Sequence, residues 1–172
     1  LPRLDANVVA NYAITSNYER SQMGKAPRDI VIQQTQVAPQ YRFGSSSASS
    51  SYDIRFSHAL KCLMWGVRNK SQSAMWSNYG VEPVTLDTGG NVYPETDPIL
   101  TSSLVYENTS RLASIGSAYF SLVNPWYHAP SIPEEVGYHL YSYALDLISL
   151  DSQGSTNFGK LTNVSLSFEP DT

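Results

Sequence analysis

The C-terminal part of the chain carries the alternating pattern of a β-strand. Apolar Val164, Leu166 and Phe168 are separated by single polar residues, so an extended backbone here has one apolar face and one polar face. Residues 137–150 form an earlier segment rich in Tyr and Leu, and a polar connection containing Gly154 joins the two segments. The pattern therefore predicts two long strands on either side of a glycine-containing turn.

Similar patterns recur along the chain. Residues 4–14 alternate most regularly, and residues 29–37 and 52–67 also have strand character. Ser16 and Glu19 have the spacing of a helix capping box, which predicts a short helix. Several strands with few helical segments predict an all-β fold, an antiparallel two-sheet sandwich with short helices in loops. The side chains expected in its core are Tyr12, Ile14, Ile54, Phe56, Val164, Leu166 and Phe168.

The remaining segments are predicted mainly as connections. Residues 44–51 and 81–98 read as loops because they are rich in Gly, Ser or Pro. Residues 71–79 have room for a helical turn, whereas residues 104–115 fit a strand and a helix equally well. Residues 119–133 are aromatic and proline-rich, so we expect them to be extended and irregular.

Composition restricts the class of protein. A chain of 172 residues suits one domain. Charged residues make up 15% of it, against roughly 25% in typical soluble domains, which suggests that partners cover part of its surface. The net charge is -4, without a basic run, so no nucleic-acid partner is expected. No apolar run reaches the roughly 18 residues that a membrane-spanning helix needs.

The side chains capable of catalysis or metal binding are scattered. His58, His128 and His139 lack the close spacing and nearby carboxylates of a metal site. Glu134 and Glu135 follow a proline and are expected to be solvated. Cys62, the single cysteine, sits among apolar residues and is predicted to act as a small buried hydrophobe. We therefore predict no catalytic residue, no metal ligand and no cofactor.

A candidate interface comes from the third predicted strand. From Ala59 onward the alternation fails, and Leu63, Trp65 and Val67 make a second face apolar. A strand that is apolar on both faces is covered on both faces. The cover is either a local segment of the same chain or another domain or subunit. Trp126 and Tyr127 complete the candidate interface. They also leave open an alternative function, a carbohydrate-binding sandwich in which these rings stack on sugars.

Five segments of this chain resemble one protein family, and they occur in the family's order. The family comprises the major capsid proteins of large icosahedral double-stranded DNA viruses, the iridovirus branch above all. The matching segments are residues 11–20, 52–61 with Trp65 and 68–70, 121–130, 137–143, and 154–160.

The resemblance implies a fold and a role. In that family one polypeptide carries two successive eight-stranded jelly rolls, and three copies form a pseudo-hexagonal capsomer that tiles an icosahedral shell. Residues 1–172 then correspond to a single jelly-roll domain, the C-terminal one, without its last strand, and a gap is expected beside residues 4–14. The implied role is that of a structural, non-enzymatic capsid protein.

The same resemblance implies partners and a location. The implied partners are the first jelly roll of the same polypeptide, two further copies in a homotrimer, neighbouring capsomers and minor capsid proteins. Neither nucleic acid nor a membrane span is implied. The implied location is the capsid shell of a virion that is assembled in the host cytoplasm.

Overall fold

The computed structural model describes residues 7–42, 50–68, 79–80 and 96–170. The chain divides into two units, Leu1–Ile32 and Gln33–Thr172. In the first unit, helix α1 spans Asn17–Lys25. None of the described residues of this unit is buried.

The predicted capping box starts α1. The Ser16 hydroxyl accepts a hydrogen bond from the backbone N–H of Glu19 at 3.3 Å, and the Glu19 carboxylate accepts one from the Ser16 N–H at 3.0 Å. These two bonds satisfy N–H groups that have no partner inside the helix. The helix ends at Lys25, two residues before Pro27, whose ring cannot continue it.

The two strands predicted closest to the N-terminus are wrong. Residues 7–14 and 29–37 form no strand, and residues 4–6 lie outside the described part. Tyr12 is 89% exposed and Ile14 is 99% exposed, so neither belongs to the core. Alternation favours an extended chain, but a strand also needs a neighbour for its N–H and C=O groups. None of the described strands pairs with residues 7–14.

The described residues of the second unit form eight strands, two helical segments and a 3₁₀ turn at Phe158–Lys160. The strands are β1 Ser50–Asp53, β2 Ala59–Leu60, β3 Cys62–Trp65, β4 Ile99–Tyr106, β5 Thr109–Gly116, β6 His139–Ser142, β7 Thr156–Asn157 and β8 Val164–Pro170. A π-helical turn, Tyr119–Val123, runs directly into helix α2, Asn124–His128.

The strand pairs among the described residues are all antiparallel. The largest sheet has the order β1-β8-β4-β5, and two smaller sheets pair β2 with β7 and β3 with β6. The two C-terminal segments do not pair with each other. β6 pairs with β3, whereas β8 lies between β1 and β4. Within residues 137–150, only the four residues of β6 are extended strand.

The segment that fitted both helix and strand, residues 104–115, forms parts of β4 and β5. The two strands are joined by Glu107 and Asn108, which have φ angles of 47° and 63°. Two successive residues with positive φ are the requirement of the tight hairpin turn whose twist matches that of the strands. Asn is among the residues that tolerate this conformation best. This hairpin turn explains why residues 104–115 form strands rather than a helix.

Two other segments differ from prediction. The single strand expected over residues 52–67 is divided into β1, β2 and β3, and His58 interrupts it with a φ of 66°. Residues 119–128 are helical rather than irregular. Pro125 lies in the first turn of α2, where its missing N–H costs no hydrogen bond.

The predictions for residues 44–49, 71–78 and 81–95 lie outside the described residues. Ser50 and Ser51, expected in the serine-rich loop, belong to β1.

The core lies between the four-stranded sheet and the β3–β6 pair. Of the expected core residues, Ile54, Val164, Leu166 and Phe168 are buried, and Phe56 is half-buried against Phe158. Leu63 of β3 belongs to the same cluster, as do Ile99, Leu104 and Phe158. Side chains from both layers share one core, which confirms the predicted antiparallel sandwich.

Candidate interaction surface

The residues singled out on β3 pack within their own unit. Leu63 is only 4% exposed and belongs to the core. The Trp65 ring meets Phe120 edge-on at 5.0 Å between centroids and stacks on His139 at 5.8 Å. Val67 is partly buried against the same core. The π-helical turn and β6 therefore cover part of the Trp65 ring locally, and cover of the remainder of this face by another domain or subunit stays a prediction.

A polar cluster lies beside Trp65. Nε2 of His139 is 2.8 Å from Oδ2 of Asp97 and 2.8 Å from Oγ of Ser117. The Ser117 hydroxyl donates to the same carboxylate oxygen, and the other oxygen of Asp97 accepts from the backbone N–H of Ile99 at 2.9 Å. His139 and Ser117 are buried. The cluster joins the segment before β4, the end of β5 and the start of β6.

This cluster is not a catalytic triad, although it contains the three residue types. In a triad the carboxylate binds Nδ1 of the imidazole, which leaves Nε2 free to take the serine proton. Here both partners contact Nε2, and Nδ1 is buried without a partner among the described residues. Ser117 cannot reach a substrate from its buried position. The arrangement fits a structural role.

The hydrogen bonds of the cluster favour a charged carboxylate. Burial by itself raises the pKa of Asp97. The hydrogen bonds from His139, Ser117 and the Ile99 N–H outweigh burial, so the pKa lies below its usual range. The Coulombic interaction with His139 lowers the pKa of Asp97 as well.

The other candidate chemical groups lie apart. The part of the chain that the structure describes holds no group of three or more His, Cys, Asp or Glu side chains placed to bind a metal. Glu134 and Glu135 line an open depression with Tyr138. Burial raises the pKa of the Cys62 thiol more than Lys61 lowers it, which keeps the thiol in its unreactive, protonated form.

Exposed apolar side chains are concentrated on the helical segment, Tyr119–His128, and in the loop after β6, and Trp126 and Tyr127 are 70% and 73% exposed. We call these side chains together the apolar patch. They are Leu122, Val123, Trp126, Tyr127, Leu145, Ile148 and Leu150. The backbone N–H of Leu147 donates to the carbonyl of His128 at 2.9 Å, which ties the loop to the end of α2.

The opposite side of the helical segment anchors it to the sandwich. Phe120 is buried beneath Trp65, and Oδ1 of Asn124 accepts a hydrogen bond from the backbone N–H of Ser142 at 2.9 Å. Pro125 is also fully buried. The segment thus has a buried side that fixes it on β6 and an outward side that carries Trp126 and Tyr127.

The sequence identified Trp126 and Tyr127 but missed the loop half of the patch. Leu145, Ile148 and Leu150 were assigned to a long strand, which would have buried some of them. A signal was present in the polar residues Asp146 and Ser149, each of which caps a turn with its side chain.

Charges of both signs lie near the patch. Asp146 and Asp151 belong to the loop that carries Leu145, Ile148 and Leu150, and the Lys61 ammonium donates a hydrogen bond to the carbonyl of Ser149 in the same loop. A concentration of exposed apolar side chains is typical of a docking site rather than of a solvated face. In the described residues, no helix has the length and apolar character to span a membrane. The fold and this surface define a β-sandwich that carries exposed apolar side chains on one helical segment and one loop.

Comparison with known proteins identifies the family. Residues 19–172 match the profile of the family described as "Large eukaryotic DNA virus major capsid protein". The chain belongs to this family, as its resemblance to the iridovirus branch indicated.

Curated relatives support the same assignment. The chain is 54% identical over 166 residues to the major capsid protein of Invertebrate iridescent virus 3, covering 94% of this chain and 36% of that protein. It is 55% identical over 163 residues to the major capsid protein of Tipula iridescent virus, covering 92% of this chain and 35% of the relative. For the ranavirus of Rana tigrina the identity is 44% over 167 residues, covering 95% and 36%. The chain therefore spans about a third of the length of these relatives.

Solved structures confirm the fold. A quasi-atomic model of the PBCV-1 virus capsid superposes with a TM-score of 0.62 at 20% identity, covering 75% of this chain and 35% of that chain. The Faustovirus major capsid protein gives a TM-score of 0.57 at 11% identity, covering 73% and 28%. The predicted jelly-roll form of the sandwich is confirmed, and the comparisons lend no support to the carbohydrate-binding alternative.

Proposed function

We propose that this chain is a shell-building domain of a viral major capsid protein. The observation that carries the proposal is membership of the capsid-protein family over residues 19–172. The role is structural, located in the capsid of the virion, and no residue of the chain acts as a catalyst. The Asp97–Ser117–His139 cluster supports this, because its hydrogen bonds join internal segments of the fold to one another.

The domain is the C-terminal jelly roll of a polypeptide that carries two. The relatives are about three times as long as the segment they share with this chain, which leaves room for a first jelly roll of similar size. The first jelly roll is then a partner within the same polypeptide. Further partners are two other copies in a homotrimer, neighbouring capsomers and minor capsid proteins.

Assembly of this kind depends on geometry rather than on chemistry. A shared core between the β3–β6 pair and the four-stranded sheet makes the domain rigid. Trp126 and Tyr127 point away from that core on a helical segment anchored by Asn124. Aromatic residues in such positions commonly supply the largest part of the binding energy in protein interfaces. The helical segment is supported from beneath by Leu63, Trp65 and Val67, which in this way contribute to the interface.

A measurement of mass in solution tests this function. The complete polypeptide that contains these 172 residues is purified and examined by light scattering after size-exclusion chromatography. The mass of three copies is the expected result. A monomer at every concentration tested would overturn the proposed role, and selective binding on a glycan array would then revive the carbohydrate-binding alternative.

A further inference from the structure

Lys61 binds the loop after β6, residues 143–150, at two points. Lys61 lies between β2 and β3, and its backbone carbonyl accepts a hydrogen bond from the N–H of Tyr143 at 2.9 Å. Its side-chain ammonium donates a hydrogen bond to the carbonyl of Ser149. Tyr143 directly follows β6 and Ser149 lies near the other end of the loop. A single residue of the sandwich therefore holds the loop near both of its ends.

The path of this loop depends on hydrogen bonds from other segments, because the loop forms neither strand nor helix. The backbone N–H of Leu147 donates to the carbonyl of His128 at 2.9 Å, and the Gln33 side chain donates to the carbonyl of Ser149 at 3.2 Å. The Lys61 ammonium is a charged donor, and hydrogen bonds from charged donors are about twice as strong as neutral ones. The bond from Lys61 is therefore the strongest of the three.

The loop that Lys61 holds carries the second part of the apolar patch. Leu145, Ile148 and Leu150 are 73%, 62% and 65% exposed. If the loop were free to move, each of these side chains would have to be ordered when a partner binds, and this ordering would reduce the affinity. A loop that is already held in place avoids most of this loss.

We propose that Lys61 is a positioning residue of the apolar patch, which holds the loop after β6 in the conformation that meets another copy of the chain. This inference rests on the proposed function, because the partner is another copy in the capsomer. Lys61 is half-buried, and it acts through the carbonyl of Ser149. Its contribution is to the order of the loop, whereas Leu145, Ile148 and Leu150 supply the contact itself.

Hydrogen–deuterium exchange of the assembled, complete polypeptide tests this role. Lys61→Met retains the apolar stem of the side chain and removes the ammonium. The backbone N–H groups of residues 145–151 should exchange faster by about 10-fold or more, while exchange in β4 and β8 stays at the parent rate. Lys160→Met, which removes an exposed lysine from the 3₁₀ turn, is the matched control and should leave the loop unchanged.

Association of the same variants provides the second measurement. Light scattering on dilution should show association of Lys61→Met weakened by about 10-fold, because three side chains must then be ordered on binding. The melting temperature should change little. Lys61→Arg keeps a charged donor and should retain most of the association. Lys61→Gln repeats the test if Lys61→Met fails to fold.

Two results would overturn the role of Lys61 and leave the shell-building role intact. One is loop exchange at the parent rate in Lys61→Met, and the other is faster loop exchange with unchanged association. A loss of association that Lys61→Arg shows to the same extent, together with a lower melting temperature, would also overturn it by indicating a general effect on folding. Failure of the parent polypeptide to form trimers would contradict the proposed function instead.

Discussion

The Nε2 atom of His139 lies 2.8 Å from the Oδ2 atom of Asp97, in the interior of the sandwich. This contact ties the first residue of β6 to the segment that leads into β4. Ser117 shares the same carboxylate oxygen. Because Ser117 lies just before the helical segment that carries the apolar patch, the cluster fastens that segment to two strands at once.

The first prediction concerns the stability of the fold at acidic pH. The folded-state pKa of Asp97 is lowered from the ordinary value of 3.8. Its stabilising effect is therefore complete above about pH 4 and is lost as the pH falls below the unfolded value toward the folded one. Urea unfolding followed across this range should show a loss of stability that Asp97→Asn reduces. At neutral pH the same variant should lose about 1–3 kcal/mol. An identical acid response in both proteins would contradict the role of the cluster.

The second prediction concerns a glycine next to β6. Gly137 has a φ of 94°, and an added Cβ would lie 2.3 Å from the carbonyl oxygen of Tyr79. Gly137→Ala should therefore destabilise the fold by more than the roughly 1–3 kcal/mol of backbone strain alone. Gly116→Ala is the matched control, because a Cβ there meets nothing within 4 Å. Equal melting temperatures for the two variants would show that the backbone approach at Gly137 is not as close as described.

The third prediction compares two leucines on one strand. Leu104 is buried in the core and Leu100 is exposed, although both belong to β4. Leu104→Ala should cost about 2–5 kcal/mol through the cavity it leaves. Leu100→Ala should stay within about 0.5 kcal/mol of the parent. Chemical denaturation of the two variants checks the orientation of β4, and a reversed order would mean that its register is wrong.

The fourth prediction separates assembly from folding. Trp126→Ser combined with Tyr127→Ser removes the two most prominent side chains of the apolar patch. Both are largely exposed, so the melting temperature of the unassembled protein should change little. Association should weaken by at least about 30-fold, since even one aromatic residue central to an interface is worth about 2 kcal/mol or more. Leu100→Ser, at another exposed apolar position, is the control and should assemble normally.

The strand patterns in the sequence predicted those parts of the fold that depend on local alternation. Val164, Leu166 and Phe168 lie in the core because β8 pairs on both sides and its apolar face packs in one cluster with Leu63 of the other layer. Tyr12 and Ile14 have an equally regular pattern and yet are exposed. Alternation describes a preference for two faces, whereas burial depends on a second layer that the local sequence does not encode.

The residues of the candidate site also differ in how well the sequence alone predicts them. Trp126 and Tyr127 are recognisable as large aromatic residues in a proline-rich segment. The polar cluster carries no local signal, because Asp97 and His139 are 42 residues apart in the chain. Its Ser117 is one of many serines in the sequence. Such a cluster becomes visible only when the fold brings three strand ends together.

Electron microscopy of the complete polypeptide, purified as assembled particles, tests the shell-building role most directly. The proposed function predicts trimers of pseudo-hexagonal outline, with density in each copy that fits the sandwich of β1-β8-β4-β5 against β3–β6. The helical segment at Tyr119–His128 should lie at a contact between copies. Particles in which this sandwich is absent from the shell, or in which the protein stays monomeric and outside it, would contradict the proposed function.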